Sequence, residues 1–367
     1  MKRRITAAVM GALLAAPLIA GCSDHNSGYE DYSGPAAEDI STAVTEAETA
    51  EPASGSRKTA PDDFGKPSEV SEMNRPQYVY LMDNGAYVYL SGKKGQDGAE
   101  DVYILDDRKG HTEELSFPSK SVMLHTDGSR LYYYAPDKGI FEYRDGKSKL
   151  LSAEAAKRDC PVPEREEFFF TDDTVYFTCS SDSGTVIKSM DYSGKLTDAE
   201  YSLEYKNAHI AGIAEINGKK SFLCTYPIGT SEHIRIYGEN GRYTDINSGS
   251  SPYIVDDSLY YIKNRRLCRN TLTGDNEEYI TDAGCIGYCI YNEKLYYTDV
   301  KTVFSVGKDG KPEEILRTED LEGTDFIEGL CTAGGRLFVS GGSGAFGHSL
   351  AEIDENGKVT DKIHSDK

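Results

Sequence analysis

The sequence contains no tryptophan and is short of positive charge. Its 367 residues include 40 lysines and arginines against 61 aspartates and glutamates, which gives a formal net charge of −21. Nucleic acids and anionic lipid headgroups attract basic surfaces, so neither is an expected partner of most of this chain. The absence of tryptophan also speaks against repeat families whose units are marked by that residue.

Long apolar runs are missing as well, apart from one near the N-terminus. Lys2, Arg3 and Arg4 are charged, and residues 5–20 after them are mostly apolar. That run is shorter than the roughly 20 residues that span a bilayer. A charged start followed by a short apolar stretch is typical of a cleaved export signal. We therefore expect residues 1–21 to be a signal peptide and not part of the fold.

The apolar run ends in Ile19-Ala20-Gly21-Cys22, which resembles a bacterial lipobox. The resemblance implies that a lipoprotein signal peptidase cleaves before Cys22, which then carries a thioether-linked diacylglyceryl group as the mature N-terminus. Two or three acyl chains on one residue give stable anchoring, whereas a single chain does not. The implied location is the extracytoplasmic face of a cell membrane or outer membrane. A free or disulfide-bonded Cys22 is the alternative.

Residues 23–75 are poor in large apolar side chains. They contain twelve acidic and four basic residues, a net charge of −8. Such a segment buries too little apolar area to offset its ordering entropy. We expect residues 22–75 to be an acidic, disordered linker, with a reach on the order of 40 Å as a coil, that holds residues 76–367 away from the membrane. Phe64 and Val70 are exceptions in composition and predict an extra strand where the linker meets the domain.

Triplets similar to Leu295-Tyr296-Tyr297 recur through residues 76–367, and those that begin at 87 and 221 match it more loosely. Each triplet follows a turn rich in Asp, Asn or Gly, which predicts the second strand of a hairpin. The first residues of the seven triplets stand at positions 87, 131, 175, 221, 259, 295 and 337, so the spacing runs from 36 to 46 residues. This period is close to that of a four-stranded propeller blade.

The predicted strands within each unit differ in composition. The first strand is short and apolar, and the last carries Lys and Glu, which discourage pairing with foreign chains. One four-stranded sheet cannot bury both of its faces, whereas several sheets packed radially cover one another. The sequence therefore predicts an all-β fold, a β-propeller of seven four-stranded blades. The fourth unit is the least regular, so six and eight blades are the alternative counts.

Residues 295–299 (Leu-Tyr-Tyr-Thr-Asp), followed by residues 303–306, resemble the repeat of YWTD-type propellers, with Tyr297 in the place of Trp. Residues 255–261 are similar to the repeat of poorly characterised secreted bacterial propellers. The resemblance covers most of residues 76–361 and implies a structural repeat without a particular chemistry. YWTD propellers have six blades, against the seven units counted here. The absence of Trp speaks against WD-type, quinone-enzyme-type and sialidase Asp-box blades.

A glycine-rich run at residues 342–347 has the spacing of a dinucleotide-binding loop. Such a loop opens a helix whose N-terminus holds the pyrophosphate. Here the chain continues into residues 349–353, whose composition favours a strand. The run therefore predicts a hairpin loop between the second and third strands of the last unit, and no cofactor is expected.

Cysteines and histidines are scattered along the chain. Seven cysteines follow Cys22, an odd number, and buried thiols need no partner. If a disulfide forms, Cys160–Cys179 is the preferred pair because it would pin the long loop that holds Cys160. Cys289 and Cys331 occupy equivalent positions of neighbouring units, so they are an alternative pair. The seven histidines do not cluster, and no nucleophile motif appears, so we predict neither a metal site nor a catalytic site.

Propellers bind ligands at the end of the axis where long loops gather, since loops carry most binding residues. The long predicted loops are residues 91–99, 152–167, 226–233 and 340–348. His125, on a predicted inner strand near the axis, is a further candidate, although most lone histidines are accommodated by the core. The candidate ligand-contacting residues in the loops are Lys93, Asp97, Arg165, Tyr226, His233 and Phe346.

The function that these features favour is that of a non-enzymatic, membrane-anchored module that binds a protein, peptide or glycan in the cell envelope. The expectation depends on the anchor, the linker, the repeat and the absence of a catalytic motif. An extracellular lyase or hydrolase with its site at the channel mouth is the second hypothesis, because residues that converge from several blades leave no local motif. A structural subunit of an envelope assembly is the third.

Overall fold

The computed structural model of the chain describes 15 segments, and the statements below concern these alone. The segment containing Cys22, the expected signal peptide and nearly all of the expected linker lie outside them. Within the described segments the structure has no helix with the length and apolar character needed to cross a membrane. The described residues are 64–65, 78–94, 101–115, 123–135, 138–144, 146–153, 168–181, 184–197, 201–205, 208–228, 231–238, 242–282, 284–307, 310–343 and 348–365.

Seven antiparallel sheets of four strands each form a propeller ring, and the strands of each sheet follow one another in chain order. Blade 1 is β1–β4 (Val79–Leu81, Tyr87–Lys94, Asp101–Asp106, Thr112–Leu115), blade 2 is β5–β8 (Met123–Thr126, Leu131–Ala135, Gly139–Arg144, Lys147–Ser152), blade 3 is β9–β12 (Phe168–Phe170, Thr174–Ser181, Gly184–Asp191, Tyr201–Leu203) and blade 4 is β13–β16 (His209–Ile216, Lys219–Ile228, Ser231–Gly238, Tyr243–Ser248). Blade 5 is β17–β20 (Ser250–Val255, Ser258–Lys263, Arg266–Thr271, Glu278–Tyr279), blade 6 is β21–β24 (Gly287–Tyr291, Lys294–Thr298, Thr302–Val306, Pro312–Arg317) and blade 7 is β25–β28 (Phe326–Ala333, Arg336–Gly342, His348–Ile353, Val359–Ser365). The predicted seven-bladed propeller is confirmed, and all seven triplets begin in the second strand of a blade.

The turns between first and second strands explain the Asp and Asn that precede the triplets. Asn217, Asp256 and Asn292 have φ angles of 54°, 50° and 49°. Asn and Asp tolerate this left-handed region better than most residues, and two-residue hairpin turns require it. The turn residues therefore place each triplet directly after a tight reversal of the chain.

The core lies between blades rather than inside any one of them. Side chains alternate between the two faces of a strand, so Tyr296 packs in the cluster shared by blades 6 and 7, whereas Tyr297 packs in the cluster shared by blades 5 and 6. The second strand of blade 2, Leu131–Ala135, is buried along its whole length. Two covered faces explain why the triplets consist almost entirely of aromatic and aliphatic residues.

The two ends of the ring differ in their connections. Turns from the first to the second strand and from the third to the fourth strand lie at one end, here called the lower end. Connections from the second to the third strand and from one blade to the next lie at the other, here called the upper end. This arrangement follows because the four strands of every blade are antiparallel and consecutive.

Blades 1 and 7 meet in an interface that we call the seam. Each of these blades consists of its own four consecutive strands, so among the described residues neither blade contributes a strand to the sheet of the other. The described residues therefore close the ring through side-chain contacts. Val79 and Tyr89 of blade 1 pack against Cys331, Phe338 and Leu350 of blade 7 in one buried cluster. The first and last described strands of the chain are thereby joined.

Phe64, from the expected linker, belongs to the core. Its side chain is 3% exposed and lies in the cluster between blades 5 and 6, with its ring centroid 6.5 Å from that of Tyr260. Its N–H donates a hydrogen bond to the carbonyl oxygen of Glu293 at 3.1 Å. Phe64 is not in a strand, so that part of the prediction was wrong: burial of the ring, rather than strand pairing, holds this point of the chain. Val70 lies outside the described residues.

Candidate functional site

The face of blade 7 that looks onto blade 1 carries polar side chains at its upper end. Phe338 in β26 and Leu350 in β27 point toward blade 1 and pack in the seam. Ser340 and His348 lie two residues from them on the same strands, nearer the upper end. Because alternate residues of a strand share a face, Ser340 and His348 also face blade 1.

A β-bulge brings an acidic side chain to the same place. The pairing of β25 with β26 shifts register between Ile327 and Gly329, which leaves Glu328 as an extra residue. Bulges re-aim side chains and occur often beside functional sites. The Oε2 atom of Glu328 accepts hydrogen bonds from Ser340 Oγ at 2.7 Å and from His348 Nδ1 at 3.2 Å. Glu328, Ser340 and His348 thus form one cluster across three strands, which we call the seam cluster.

The carboxyl group of Glu328 is held as an anion at neutral pH. Its side chain is 19% exposed. Burial acts to raise its pKa, but the hydrogen bonds from His348 and Ser340 outweigh burial, so the pKa of Glu328 lies below its usual value. A carboxylate that accepts from Nδ1 also fixes the orientation of an imidazole ring. The cluster therefore presents a charged carboxylate beside an oriented histidine.

The two oxygens of Glu328 differ in their surroundings. Oε2 takes both hydrogen bonds of the seam cluster, whereas no described residue donates a hydrogen bond to Oε1. Oε1 lies 2.9 Å from the point that a Cβ atom on Gly342 would occupy. The Cζ atom of Phe326 lies 2.5 Å from that same point. A side chain at position 342 would therefore displace the ring of Phe326 or the carboxylate of Glu328.

Close packing around the bulge links the cluster to blade 1. The hydroxyl of Tyr78, just before β1, donates a hydrogen bond to the carbonyl oxygen of Glu328 at 3.3 Å. That hydroxyl lies 2.2 Å from where a Cβ on Gly329 would be, and a Cβ on Gly341 would lie 2.4 Å from Thr324 Cγ2. Gly341, next to the glycine-rich run, is thus in close contact with Thr324. The chain continues after the run into β27, a strand, as predicted, but β26 reaches Gly342 and β27 begins at His348, so the expected loop 340–348 was wrong at both ends.

The lower end of the seam is held by charged groups. Arg336 Nη1 donates hydrogen bonds to the hydroxyl of Tyr87 at 2.7 Å and to Glu352 Oε2 at 3.2 Å. Arg108 of blade 1 forms ion pairs with Asp106 and, across the seam, with Asp361. These contacts fasten blade 1 to blade 7 below the buried cluster, and the seam cluster lies above it.

Two of the sequence-predicted residues lie in strands rather than in a loop. Tyr226 pairs with His233, and the ladder between β14 and β15 continues to Ile228 and Ser231, so the loop assignment was wrong. The ring of Tyr226 is 1% exposed and stacks on Tyr205 with a centroid distance of 4.4 Å. His233 is half-buried beside it, at 5.7 Å. The longer hairpin buries the tyrosine that the sequence had suggested for ligand contact.

Tyr226 and His233 lie beside the buried side chain of Arg235, which is located between blades 3 and 4. The guanidinium of Arg235 lies 3.8 Å from the ring centroid of Tyr243 and 4.9 Å from that of Tyr226. Its Nε donates to Asp245 Oδ1 at 2.5 Å. Burial acts to lower the pKa of Arg235, but the hydrogen bond to Asp245 outweighs it and the pKa is raised. The guanidinium also lies 4.5 Å from the ring centroid of Tyr205, just after the last strand of blade 3, so Arg235 links the two blades.

His125 is buried between blades 2 and 3 instead of facing the axis. Its side chain is 2% exposed, and its ring stacks on Phe170 with a centroid distance of 4.1 Å and an interplanar angle of 8°. Burial lowers the pKa of His125 to about 3, against a weaker opposing effect of Asp127. The ring is therefore neutral at physiological pH and acts as a core aromatic.

The other sequence-predicted site residues stay predictions. Lys93 lies in β2, which runs to Lys94, so the expected loop from residue 91 was wrong at its start. Cys179 lies in β10, and its proposed partner, Cys160, is outside the described residues. Nothing is described of the side chains of Lys93, Asp97, Arg165 and Phe346, nor of Cys22.

The chemistry available at the seam cluster is that of a carboxylate and an imidazole. Ser340 Oγ donates to Glu328 rather than to the imidazole, so the three groups do not have the order of a nucleophile, base and orienting acid. Among the residues that the structure describes, no three or more His, Cys, Asp or Glu side chains are placed to hold a metal ion. The arrangement is suited to hydrogen bonding and charge pairing with a bound group.

The sequence could not have identified this cluster. His348 was one of seven scattered histidines, and Glu328 one of 61 acidic residues. Their contact depends on the bulge in β25 and on the register of three strands. The signal that was present, two adjacent glycines at 341 and 342 inside a strand, indicates a close approach of other groups.

No known family matches the chain, and no curated protein matches it. Among solved structures it is similar to a prolyl endopeptidase, with a TM-score of 0.50 and 12% identity over 80% of this chain and 50% of that one. It is also similar to the extracellular domain of the putative one-component system BT4673 from B. thetaiotaomicron, with a TM-score of 0.51 and 14% identity over 80% and 40%. A third is the acylaminoacyl peptidase of Pyrococcus horikoshii, with a TM-score of 0.49 and 11% identity over 79% and 53%. The chain thus aligns with about half or less of the length of each, and identities this low show the propeller fold alone.

Proposed function

We propose that the protein is a lipid-anchored, extracytoplasmic propeller that binds a protein, peptide or glycan at the upper end of the seam. The observation that carries this proposal is the seam cluster: a bulge holds Glu328 ionised against His348, with one carboxylate oxygen unused by the described residues. The side chain of Glu328 is 19% exposed, and Oε1 is not one of the buried, unpartnered polar atoms of the described residues, so this oxygen meets solvent and a ligand can reach it.

The scaffold supports a binding role. Blade 7 places the cluster on strands rather than on loops, and sites on rigid elements hold their geometry more closely. The lipobox resemblance around Cys22 and the acidic segment after it supply a tether outside the cell. One protein of similar fold is described as an extracellular domain, which is compatible with a propeller displayed there.

The anchor and the binding role are tested separately. Cys22→Ala should release the protein from the membrane fraction, and unchanged fractionation would contradict the anchor. For binding, crosslinking and pull-down from the native envelope should recover a partner with the wild-type protein and lose it with His348→Ala. The matched control is His111→Ala, because His111 is an exposed histidine of blade 1 near the lower end. Recovery of no partner by the wild type would contradict the binding role.

An enzyme is the second candidate, and the same cluster favours it. A histidine oriented by a carboxylate is a common general base. An extracellular lyase or hydrolase would turn over a member of a glycan or peptide library, and His348→Ala would abolish that turnover without preventing folding. If the wild type turns over a library member and retains no partner, the enzyme replaces the binding module as the proposed function.

A structural subunit of an envelope assembly is the third candidate, and the described residues give it less support. An assembly subunit is expected to expose a broad apolar patch. The exposed large apolar side chains of the described residues are spread over four blades: Leu150, Ile228, Tyr243, Tyr279 and Val300.

A further inference from the structure

Phe64 is held by two neighbouring blades although it is part of neither sheet. Blades 5 and 6 are complete four-stranded sheets, and no described strand contains Phe64. Its N–H donates a hydrogen bond to the carbonyl oxygen of Glu293 in blade 6 at 3.1 Å. Its carbonyl oxygen accepts one from the hydroxyl of Tyr260 in blade 5 at 3.5 Å. Both hydrogen bonds are made by the backbone of residue 64, so the choice of residue type depends on the side chain.

The side chain of Phe64 fills a recess between the two blades. It lies in a buried cluster with Tyr253 and Tyr260 of blade 5 and with Tyr288 and Leu295 of blade 6. All four of these residues lie in strands, so the recess, which we call the Phe64 socket, is shaped by the sheets themselves. Only 3% of Phe64 is exposed. A smaller side chain would leave a cavity in the socket and lose the packing of the ring.

The residue after Phe64 is restricted as well. Gly65 has a φ angle of 77°, in the left-handed region where residues with a Cβ atom are strained. A Cβ at this position would also lie 2.3 Å from Asp256 Oδ2 and 3.0 Å from Val255 Cγ1. Glycine avoids both the strain and the contacts. The two blades therefore fit a phenylalanine followed by a glycine.

The socket lies at the lower end of the ring. Asp256 belongs to the turn between β17 and β18, and Glu293 belongs to the turn between β21 and β22. Both turns join a first strand to a second strand, whereas the seam cluster lies at the upper end. The contact at Phe64 therefore fixes the segment that precedes β1 to the end of the ring opposite the seam cluster.

We propose that the Phe64 socket is a recognition site for a Phe-Gly segment of a polypeptide and that the chain fills it with its own Phe64 and Gly65. The sheets that form its walls are complete without the segment, and an aromatic side chain inserted in a pocket is a common anchor of a bound polypeptide. A Phe-Gly peptide in solution therefore occupies the socket when the chain's own ring is absent. This site is separate from the seam cluster and does not depend on the proposed function.

The test replaces the missing ring from solution. The Cys22→Ala protein that also carries Phe64→Ala is heated with an N-acetylated, C-amidated peptide of residues 60–69, Ala-Pro-Asp-Asp-Phe-Gly-Lys-Pro-Ser-Glu. At about 5 mM, the order of an effective concentration in cis, the peptide should raise the thermal midpoint by about 2 °C or more, because it binds the folded state alone. An unchanged midpoint would overturn the proposal.

Two control peptides test the selection of phenylalanine and glycine. One has alanine in place of phenylalanine, which leaves the socket empty, and the other has alanine in place of glycine, which strains the backbone. Each should raise the midpoint by less than half as much as the Phe-Gly peptide. Equal shifts with all three peptides would show non-specific binding and overturn the proposal.

A glycine substitution keeps the proposal testable if Phe64→Ala does not fold. Gly65→Ala keeps the ring but weakens its docking, so the Phe-Gly peptide should displace the chain's own segment and raise the thermal midpoint. The matched control is Gly85→Ala, since Gly85 has a φ angle of 82° in a lower-end turn of blade 1 but no described group other than its chain neighbours within 4 Å of its missing Cβ. It should lose stability without regaining it from the peptide. Equal peptide-induced shifts in the two variants would overturn the proposal.

The size of the protein in solution distinguishes the chain's own segment from that of a second copy. The Cys22→Ala protein should be monomeric by light scattering at micromolar concentration, with or without Phe64→Ala. A dimer that Phe64→Ala converts to monomers would show that Phe64 fills the socket of another copy, and it would overturn occupancy in cis.

Discussion

Arg336, at the start of the second strand of blade 7, donates a hydrogen bond to the hydroxyl of Tyr87 in blade 1 at 2.7 Å. The two residues are 249 positions apart in the chain and belong to the first and last blades. Because the four strands of each blade are consecutive, the described part of the ring depends on contacts of this kind for closure. Side-chain substitutions can therefore weaken the contact between blades 1 and 7 without removing a strand.

Replacement of Arg336 by Met should lower the free energy of unfolding by about 1–2 kcal/mol, because its hydrogen bonds to Tyr87 and Glu352 are lost and the Tyr87 hydroxyl keeps only its 3.3 Å hydrogen bond to Glu352. Methionine retains most of the apolar stem. Urea denaturation measures the change. The control is Lys362→Met, which removes an exposed pair with Glu322 and should cost less than about 0.5 kcal/mol. Equal effects would mean that the seam contact is no more than a surface pair.

Phe64→Ala should lower the free energy of unfolding by about 3 kcal/mol, the cost of removing a buried Phe side chain and leaving a cavity. Phe64 lies in the core between blades 5 and 6, so the loss should be visible in the full chain and in the Cys22→Ala protein alike. The measurement is the urea midpoint. Leu150→Ala, at a residue that is 48% exposed, is the control and should change stability by less than about 0.5 kcal/mol. A Phe64 variant as stable as this control would contradict the packing.

The blade pattern could be predicted from the sequence because it is local and repeated. Burial on both faces makes each second strand a run such as Leu295-Tyr296-Tyr297, and the hairpin turn before it demands Asp, Asn or Gly. These constraints act within about ten residues and recur seven times. The spacing of the triplets therefore gave both the strand order and the number of blades.

The seam cluster and Phe64 could not be predicted because they depend on contacts between distant segments. Glu328 faces Ser340 and His348 only because one bulge displaces it from the regular alternation of β25. Phe64 is a single aromatic residue in a polar segment, and no pattern indicates which blades it contacts. The position of Tyr226 shows a related limit, since polar and turn-forming residues at a hairpin tip do not reveal how far the ladder extends.

Gly329→Ala tests the contact between blade 1 and the bulge. The added Cβ would lie 2.2 Å from the hydroxyl of Tyr78, so Tyr78 or β25 must move, and the free energy of unfolding should fall by about 1–3 kcal/mol. Tyr78→Phe removes the nearest atom, so Gly329→Ala should cost less in that background. A double-mutant cycle measured by urea denaturation gives the coupling, expected at about 0.5 kcal/mol or more. Additive effects would show that the two residues do not meet.

The stability of the protein should fall as the pH drops below about 6.5, and His125 should account for a measurable part of the fall. Its folded-state pKa of about 3 lies below the value near 6.5 of an unfolded chain, so the folded state binds fewer protons between these two values. Stability linked to His125 is therefore complete above about pH 6.5 and decreases toward pH 3. At pH 5 the loss comes to about 2 kcal/mol.

The variant that isolates this effect is His125→Phe, because a phenyl ring can keep the stack on Phe170 and cannot be protonated. Urea midpoints of both proteins at pH 7.5 and pH 5.0 give two differences, and carboxylates common to both proteins contribute equally to each. The loss of stability in the wild type should exceed that in the variant by about 2 kcal/mol. If both lose the same amount, His125 is not buried in its neutral form, and the packing between blades 2 and 3 differs from that described.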